Sequence, residues 1–182
     1  MNKSNLNPED IPASVVGLGI MGCSITACLL MAGHPVVAIA PIPDDMSTAK
    51  PRILEHLKKS LQEGITTKKP EDLLTRLIIT ENYGKLKECR LVIECTLEDL
   101  DIKKNVYANI ESHLGDHTII TSNTSAIPIS ILQKDTKVPS RFLGLHWSEP
   151  SHTTRFLEII CGDFNDIKHA EWLYKLSSLW GK

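Results

Sequence analysis

From Ala13 onward the chain alternates short apolar runs with longer stretches in which apolar positions recur at helical spacing. The short runs, at 13–16, 36–39, 77–80, 91–94, 118–121, 142–146 and 156–161, are bounded by turn formers and predict buried strands. Between them the pattern predicts helices at 21–32, 49–63, 70–75, 100–114 and 167–180. The stripe Ile102, Val106, Ile110 and Leu114 makes the fourth helix amphipathic, and Gly33, Gly64 and Gly115 stop three of them. Pro51 falls in the first turn of the predicted second helix, where a missing N–H is tolerated. Trp172, Leu173, Leu176 and Leu179 read as the core-facing side of the last. Residues 1–10 are polar and predict a flexible leader, followed by one domain over 11–182. The alternation predicts an α/β fold, a Rossmann-type doubly wound, mainly parallel sheet with helices on both faces. Ligands of such sheets bind at the carboxyl ends of the strands.

Composition narrows the partners. A chain of 182 residues supports one domain with a real core, and a net charge of -2 with scattered lysines provides no field for a nucleic-acid backbone. The five cysteines are odd in number and never form Cys-x-x-Cys, so neither a disulfide framework nor a metal site follows. Cys23, Cys28, Cys95 and Cys161 stand in apolar surroundings, as free buried thiols do in a reducing compartment, and the chain reads as cytoplasmic. The apolar segment 15–32 is broken by Gly17, Gly19 and Gly22 and preceded by Glu9 and Asp10, which argues against a signal peptide or membrane span.

Those glycines carry the first chemical signal. Gly17-Leu18-Gly19-Ile20-Met21-Gly22 is Gly-x-Gly-x-x-Gly placed after a predicted strand and opening a predicted helix, the context in which the motif holds a dinucleotide pyrophosphate on helix amides. The usual pattern then places an acid at the end of the second strand to hold the adenosine ribose. Here that strand ends in Ala40-Pro41; Asp44 and Asp45 follow and can substitute only if the loop folds back, while no arginine stands there to select NADP. The second signal lies in 122–158, where Asn123, Ser125 and His146 fall at or after strand ends and Glu158 sits inside an apolar run. An imidazole and a carboxylate in such places are costly unless paired, and a carboxylate on the far nitrogen of His146 would fix its tautomer as a general base.

On these residues the chain resembles the NAD-binding domain of the 3-hydroxyacyl-CoA dehydrogenase family. The opening Gly-x-Gly-x-Met-Gly is similar to its signature, and Val92 through Lys104 looks like its second motif, with Glu98 and Lys103 bordering cofactor and substrate. Ser122-Asn123-Thr124-Ser125, Gly144-Leu145-His146 and Leu157-Glu158-Ile159-Ile160 follow in the family's order and spacing. The resemblance implies NAD as cofactor, bordered by the glycine turn, by Thr96, Leu97, Glu98 and Lys103, and by Asn123 and Ser125. It implies His146 as the base that takes the proton of a 3-hydroxyl, Glu158 as its orienting partner, and Ser125 as the hydrogen-bonding group on that oxygen. Lys103, Ser125 and Glu149 would border the substrate, an acyl-CoA or hydroxy acid. No nucleic acid and no membrane enter as partners, and the full-length protein is expected to be a homodimer.

The chain departs from the family at two sites of contact. Ala40 replaces the ribose-binding acid, and Glu149 stands where the family usually has asparagine, followed by an unusually polar run at 151–155. These features favour two alternatives: a dehydrogenase of a small 3-hydroxy acid or sugar acid, or a non-catalytic nucleotide-binding or structural module. Retention of Ser125, His146 and Glu158 speaks against the module. The family's helical second domain has no counterpart in residues 1–182, so this domain alone is expected to turn over poorly.

Overall fold

Alternation along each strand divides the core in two. In the computed structural model, which describes residues 6–182, Val15 and Val16 are both fully buried yet belong to different apolar clusters, because neighbouring strand residues face opposite sides of the sheet. The chain runs β1 (Ala13–Val16), α1 (Ile20–Ala32), β2 (Val36–Ile39), α2 (Pro43–Gln62), α3 (Pro70–Leu74), β3 (Leu77–Thr80), β4 (Leu91–Glu94), α4 (Leu100–Glu111), β5 (Ile119–Ser122), α5 (Ile129–Leu132), β6 (Phe142–Trp147), β7 (Leu157–Ile160) and α6 (Ile167–Ser177). The seven strands order as β3-β2-β1-β4-β5-β6-β7. All neighbours are parallel except β6 and β7. One face packs Val15, Ala38, Ile93 and Leu143 against Leu29 of α1, Leu57 of α2, and Leu173 and Leu176 of α6. The other packs Val16, Ile39, Val92 and Ile120 against Val106 and Ile110 of α4 and Ile129 of α5. The winding reverses between β1 and β4, and a crevice at the carboxyl ends there is where such sheets bind ligands.

The expected doubly wound, mainly parallel sheet is thus present, with four strands at their predicted limits. Other boundaries moved for local reasons. Helix α2 begins at Pro43, six residues before its predicted start, and Pro51 lies inside it. Ile42-Pro43-Asp44-Asp45 supplies a proline at the first position and acids in the first turn, a stronger start than Pro51 could make. The price is the Ser47 carbonyl, which Pro51 leaves without a helical donor. Strand β5 starts one residue late because the Thr118 hydroxyl donates to the Cys89 carbonyl at its entry (2.7 Å). Of the predicted leader, residues 1–5 lie outside the described residues. Pro8–Asp10 is not loose: it forms a 3-10 turn held by Asn7, and Glu9 pairs with Arg76 at 2.6 Å. Cys161, expected to be buried, is exposed, and Cys89 is buried instead. Among the described residues no helix is long and apolar enough to cross a membrane.

The polar run after β6 also has a structural explanation. Ser151 and His152 are not turned toward an open cleft; they dock under α1, where Ser24 Oγ accepts the Ser151 N–H (2.9 Å) and meets His152 Nδ1 (3.2 Å). The His152 ring also packs on His56 of α2, 4.8 Å between centroids, and its Nε2 has no partner. Lys182 closes the far side by donating to the carbonyls of Ser151 and Thr154 and lying over the Trp147 ring. Burial, with the charges of His56, Lys59 and Lys182 adding to it, holds the His152 pKa down at about 4 against its ordinary 6.5. Buried His34, whose Nε2 accepts from Trp180 Nε1 (3.0 Å), is lowered as well, chiefly by burial.

A histidine whose pKa is lower folded than unfolded leaves the native state short of a proton the unfolded chain binds, so stability falls as pH drops. The protein should therefore lose stability between pH 6.5 and about 4, and His152→Asn should make that slope shallower. Urea midpoints taken across this range for both proteins check it; parallel slopes would show that His152 is not responsible.

Candidate active site

The glycine turn is built around two close approaches. Gly17 has φ +93°, where a side chain is strained, and a Cβ there would also meet the Cys95 carbonyl oxygen at 2.8 Å. At Gly22 a Cβ would fall 1.9 Å from the Gly17 carbonyl oxygen, so only glycine lets α1 start this close to the turn. Gly19 differs, since a Cβ there would meet no atom within 4 Å. That free space opens into a cavity of about 660 Å³, lined by Gly17 to Met21, by Pro41, Ile42 and Asp45, and across the crevice by Thr96, Leu97 and Ile102. Gly19 at the N-cap offers no side-chain partner, so the first amides of α1 face the cavity uncapped. A turn, an uncapped helix start and room for phosphates fit a dinucleotide. Leu18 is the exception within the motif, because its side chain is fully buried and its N–H already donates to Asp45 Oδ2 at 3.1 Å.

Beneath the crevice, β4 ends in a carboxylate with no exposure. Glu94 accepts from the Thr96 N–H (2.6 Å), Thr96 Oγ1 (2.6 Å), Ser122 Oγ (2.7 Å), Tyr107 Oη (2.8 Å) and Lys103 Nζ (2.9 and 3.0 Å). Burial, reinforced by the Glu94 charge, pushes the Tyr107 phenol up, so it stays a donor. Lys103 was expected at the border of cofactor and substrate. Its side chain is instead 1% exposed, and its ammonium is shared between Glu94 and Glu98, the latter at 3.4 Å. It is bound from below and presents no free cation to a ligand.

Glu98 passes this anchoring to the loop after β5. Its Oε1 accepts from Thr124 Oγ1 (2.5 Å), the Ser125 N–H (3.0 Å) and the Ala126 N–H (2.9 Å). Burial alone would raise its pKa, but the bonds from Thr124, Ala126 and Ser125 and the Lys103 charge outweigh it and hold the carboxyl at about 2. So fixed, Ser125 places its Oγ 3.1 Å from His146 Nε2. His146 Nδ1 lies 2.7 Å from Glu158 Oε2. The second contact follows from strand register, since His146 and Glu158 are direct partners across the antiparallel β6–β7 pair. A carboxylate only accepts, so Nδ1 carries the hydrogen and Nε2 is left as the basic nitrogen. Asn123 ties β5 to this strand by accepting the Trp147 N–H at 2.8 Å.

The structure therefore brings together Asn123, Ser125, His146 and Glu158, and gathers the glycine turn with Thr96 and Leu97 around the cavity. Glu149 is not brought in by any contact: it is exposed and has no hydrogen bond or ion pair among the described residues. Sequence reasoning missed Glu94, Tyr107 and Thr124, and named Asp45 only as a conditional substitute for the ribose-binding acid. The signal for Glu94 was present, as an acid closing an otherwise apolar strand at the switch of winding.

Comparisons with known proteins agree on one family. The family model described as 3-hydroxyacyl-CoA dehydrogenase, NAD binding domain, matches residues 12–182. The chain is 33% identical over 152 residues to a fatty acid oxidation complex subunit alpha of Pseudomonas savastanoi, covering 83% of this chain and 21% of that protein. It is 32% identical over 151 residues to the 5-formyl-3-hydroxy-2-methylpyridine 4-carboxylate 5-dehydrogenase of Mesorhizobium japonicum, covering 82% of this chain and 48% of that one. Among solved structures, the (S)-3-hydroxybutyryl-CoA dehydrogenase of Ralstonia eutropha superposes with a TM-score of 0.88 at 27% identity, covering 94% of this chain and 61% of that protein. The chain thus spans less than half the length of either curated relative.

The buried network has a measurable weight. Glu94→Gln leaves the Lys103 ammonium without its buried counter-charge, and removing one partner of such a pair costs about 3–5 kcal/mol. Denaturant unfolding of the variant should show a loss of that size. A loss under about 1 kcal/mol, typical of an exposed ion pair, would show that the ammonium is not confined as described.

Proposed function

The chain belongs to the 3-hydroxyacyl-CoA dehydrogenase family as its NAD-binding domain, and from that premise we propose that it serves an oxidoreductase interconverting 3-hydroxyacyl-CoA and 3-oxoacyl-CoA thioesters in fatty acid metabolism. The observation that carries this reading is the relay Ser125 Oγ–His146 Nε2 at 3.1 Å and His146 Nδ1–Glu158 Oε2 at 2.7 Å. Glu158 occupies Nδ1, so Nε2 is the nitrogen free to take a proton, and the Ser125 hydroxyl beside it marks where a substrate oxygen is held. His146 accepts the 3-hydroxyl proton at Nε2, Glu158 stabilises the imidazolium, and Ser125 hydrogen-bonds the oxygen as it becomes a carbonyl. Positioned base catalysis of this kind contributes about a hundred- to ten-thousandfold. NAD, when bound over the glycine turn, supplies the hydride acceptor. Ile20 and Met21 amides at the uncapped start of α1 would hold its pyrophosphate, and Asn123 and Thr96 would border it.

A second reading concerns the substrate alone. Glu149 places an exposed carboxylate three residues after the base, which suits a small hydroxy acid bearing a polar or cationic group better than an acyl chain. The relative named for a pyridine carboxylate shows a family member whose name carries no coenzyme A ester. The polar run after it lends this reading less than it first promised, because Ser151 and His152 are consumed in packing under α1.

His146→Gln should lower turnover by about a hundredfold or more while sparing NADH binding, the signature of a lost base. NAD reduction assayed with 3-hydroxybutyryl-CoA and with free 3-hydroxybutyrate checks both points. Unchanged turnover in the variant would exclude His146 as the base, and a preference for the free acid would decide for the second substrate class.

A further inference from the structure

Strand β2 ends without the acid that a dinucleotide fold uses for the adenosine ribose. Ala40 stands there, 2% exposed and with no side-chain group that could accept a hydroxyl, and Pro41 after it lacks even a backbone donor. Three residues after Ala40, the early start of α2 at Pro43 changes the picture. The first turn of that helix carries Asp45 inward and leaves Asp44 exposed. Asp45 is 7% exposed, lines the cavity over the glycine turn, and accepts the Leu18 N–H on Oδ2 at 3.1 Å.

Two features make this more than a brace for the turn. A carboxylate has acceptor sites on both oxygens, yet among the described residues only Oδ2 is engaged, by one backbone amide. Its charge also has no counter-ion, since no lysine, arginine or histidine of the described residues lies within 4.0 Å of it. Arg52 of α2 instead donates to the Leu18 carbonyl at 3.4 Å. The second oxygen is left open toward the cavity, where a hydroxyl donor of the ligand can take it.

We infer that Asp45 takes over the part of the missing strand-end acid: its free oxygen accepts the adenosine ribose hydroxyls of NAD, and its charge excludes the 2′-phosphate of NADP. The inference rests on the NAD-binding reading above and adds the residue that decides between the two coenzymes. The acceptor has moved from the end of a strand to the first turn of a helix, held against the glycine turn by the Leu18 bond.

The test is an equilibrium fluorescence titration of the protein with NADH and NADPH, alone and as Asp45→Asn. Asparagine keeps an oxygen for the Leu18 N–H and removes the charge, so a merely structural aspartate would leave the ratio of the two affinities unchanged. The wild-type protein should bind NADH at least about tenfold more tightly than NADPH, and Asp45→Asn should weaken NADH about tenfold while strengthening NADPH, the scale of one hydrogen bond to a charged group. A retained ratio in the variant, or a wild-type protein that binds NADPH as tightly as NADH, would overturn the assignment while leaving the NAD-binding reading intact. Binding of neither coenzyme by the wild-type protein would instead bring down that reading, and this inference with it. Asp45→Ala, which also orphans the Leu18 amide, should weaken both coenzymes; tight NADH binding there would equally overturn the assignment.

Discussion

Lys103 brings one ammonium to two carboxylates that do different work. Toward the sheet it meets Glu94, the closed end of β4, which also gathers Thr96, Tyr107 and Ser122. Toward the surface it meets Glu98, which gathers the amides of Ser125 and Ala126 and the hydroxyl of Thr124. Through this pair the carboxyl ends of β4 and β5 and the loop that carries Ser125 are fixed relative to one another, and Ser125 then meets His146. Burying an ion pair is a poor way to gain stability, because the cost of desolvation consumes most of the attraction. What it provides here is position: both oxygens of Glu94 are saturated with donors, so the network has little freedom to rearrange.

The relay on the other side of β5 is fixed by different means. His146 and Glu158 face each other because β7 runs antiparallel to β6 in a register that pairs them. Asn123 then ties the backbone of Trp147 to the end of β5. The base is thus held by sheet geometry and the hydroxyl beside it by an ion pair, two independent supports that converge on a 3.1 Å contact.

Much of this was legible in the sequence, and the parts that were not share a cause. Gly17, Gly22, His146 and Glu158 could be placed because each answers a local rule, a turn, a helix start or a strand end. The burial of Glu94 and Lys103 and the inward turn of Asp45 escaped because their partners lie far along the chain or on another element. Lys103 has the sequence of a surface helix lysine, and only the fold shows that its stem is buried and its charge already used. The place of Asp45 depends on the start of α2, which Pro43 rather than the later Pro51 sets. The run 151–155 favours a polar substrate by its sequence because the partner of Ser151 and His152, Ser24 on α1, lies more than a hundred residues earlier.

The strand order has a consequence for how such a domain diversifies. The residues around the nucleotide end, on the β2–α2 side, and the relay on β6 are separated by β1, β4 and β5, which is four interstrand steps and about 19 Å at ordinary sheet spacing. Changes more than about 10 Å apart with no shared partner act additively. A lineage can therefore exchange its strand-end acid for another acceptor without disturbing the base, or refit the loop after His146 without losing its coenzyme. Ala40 and Glu149, the two departures from the family pattern, lie on opposite sides of that divide.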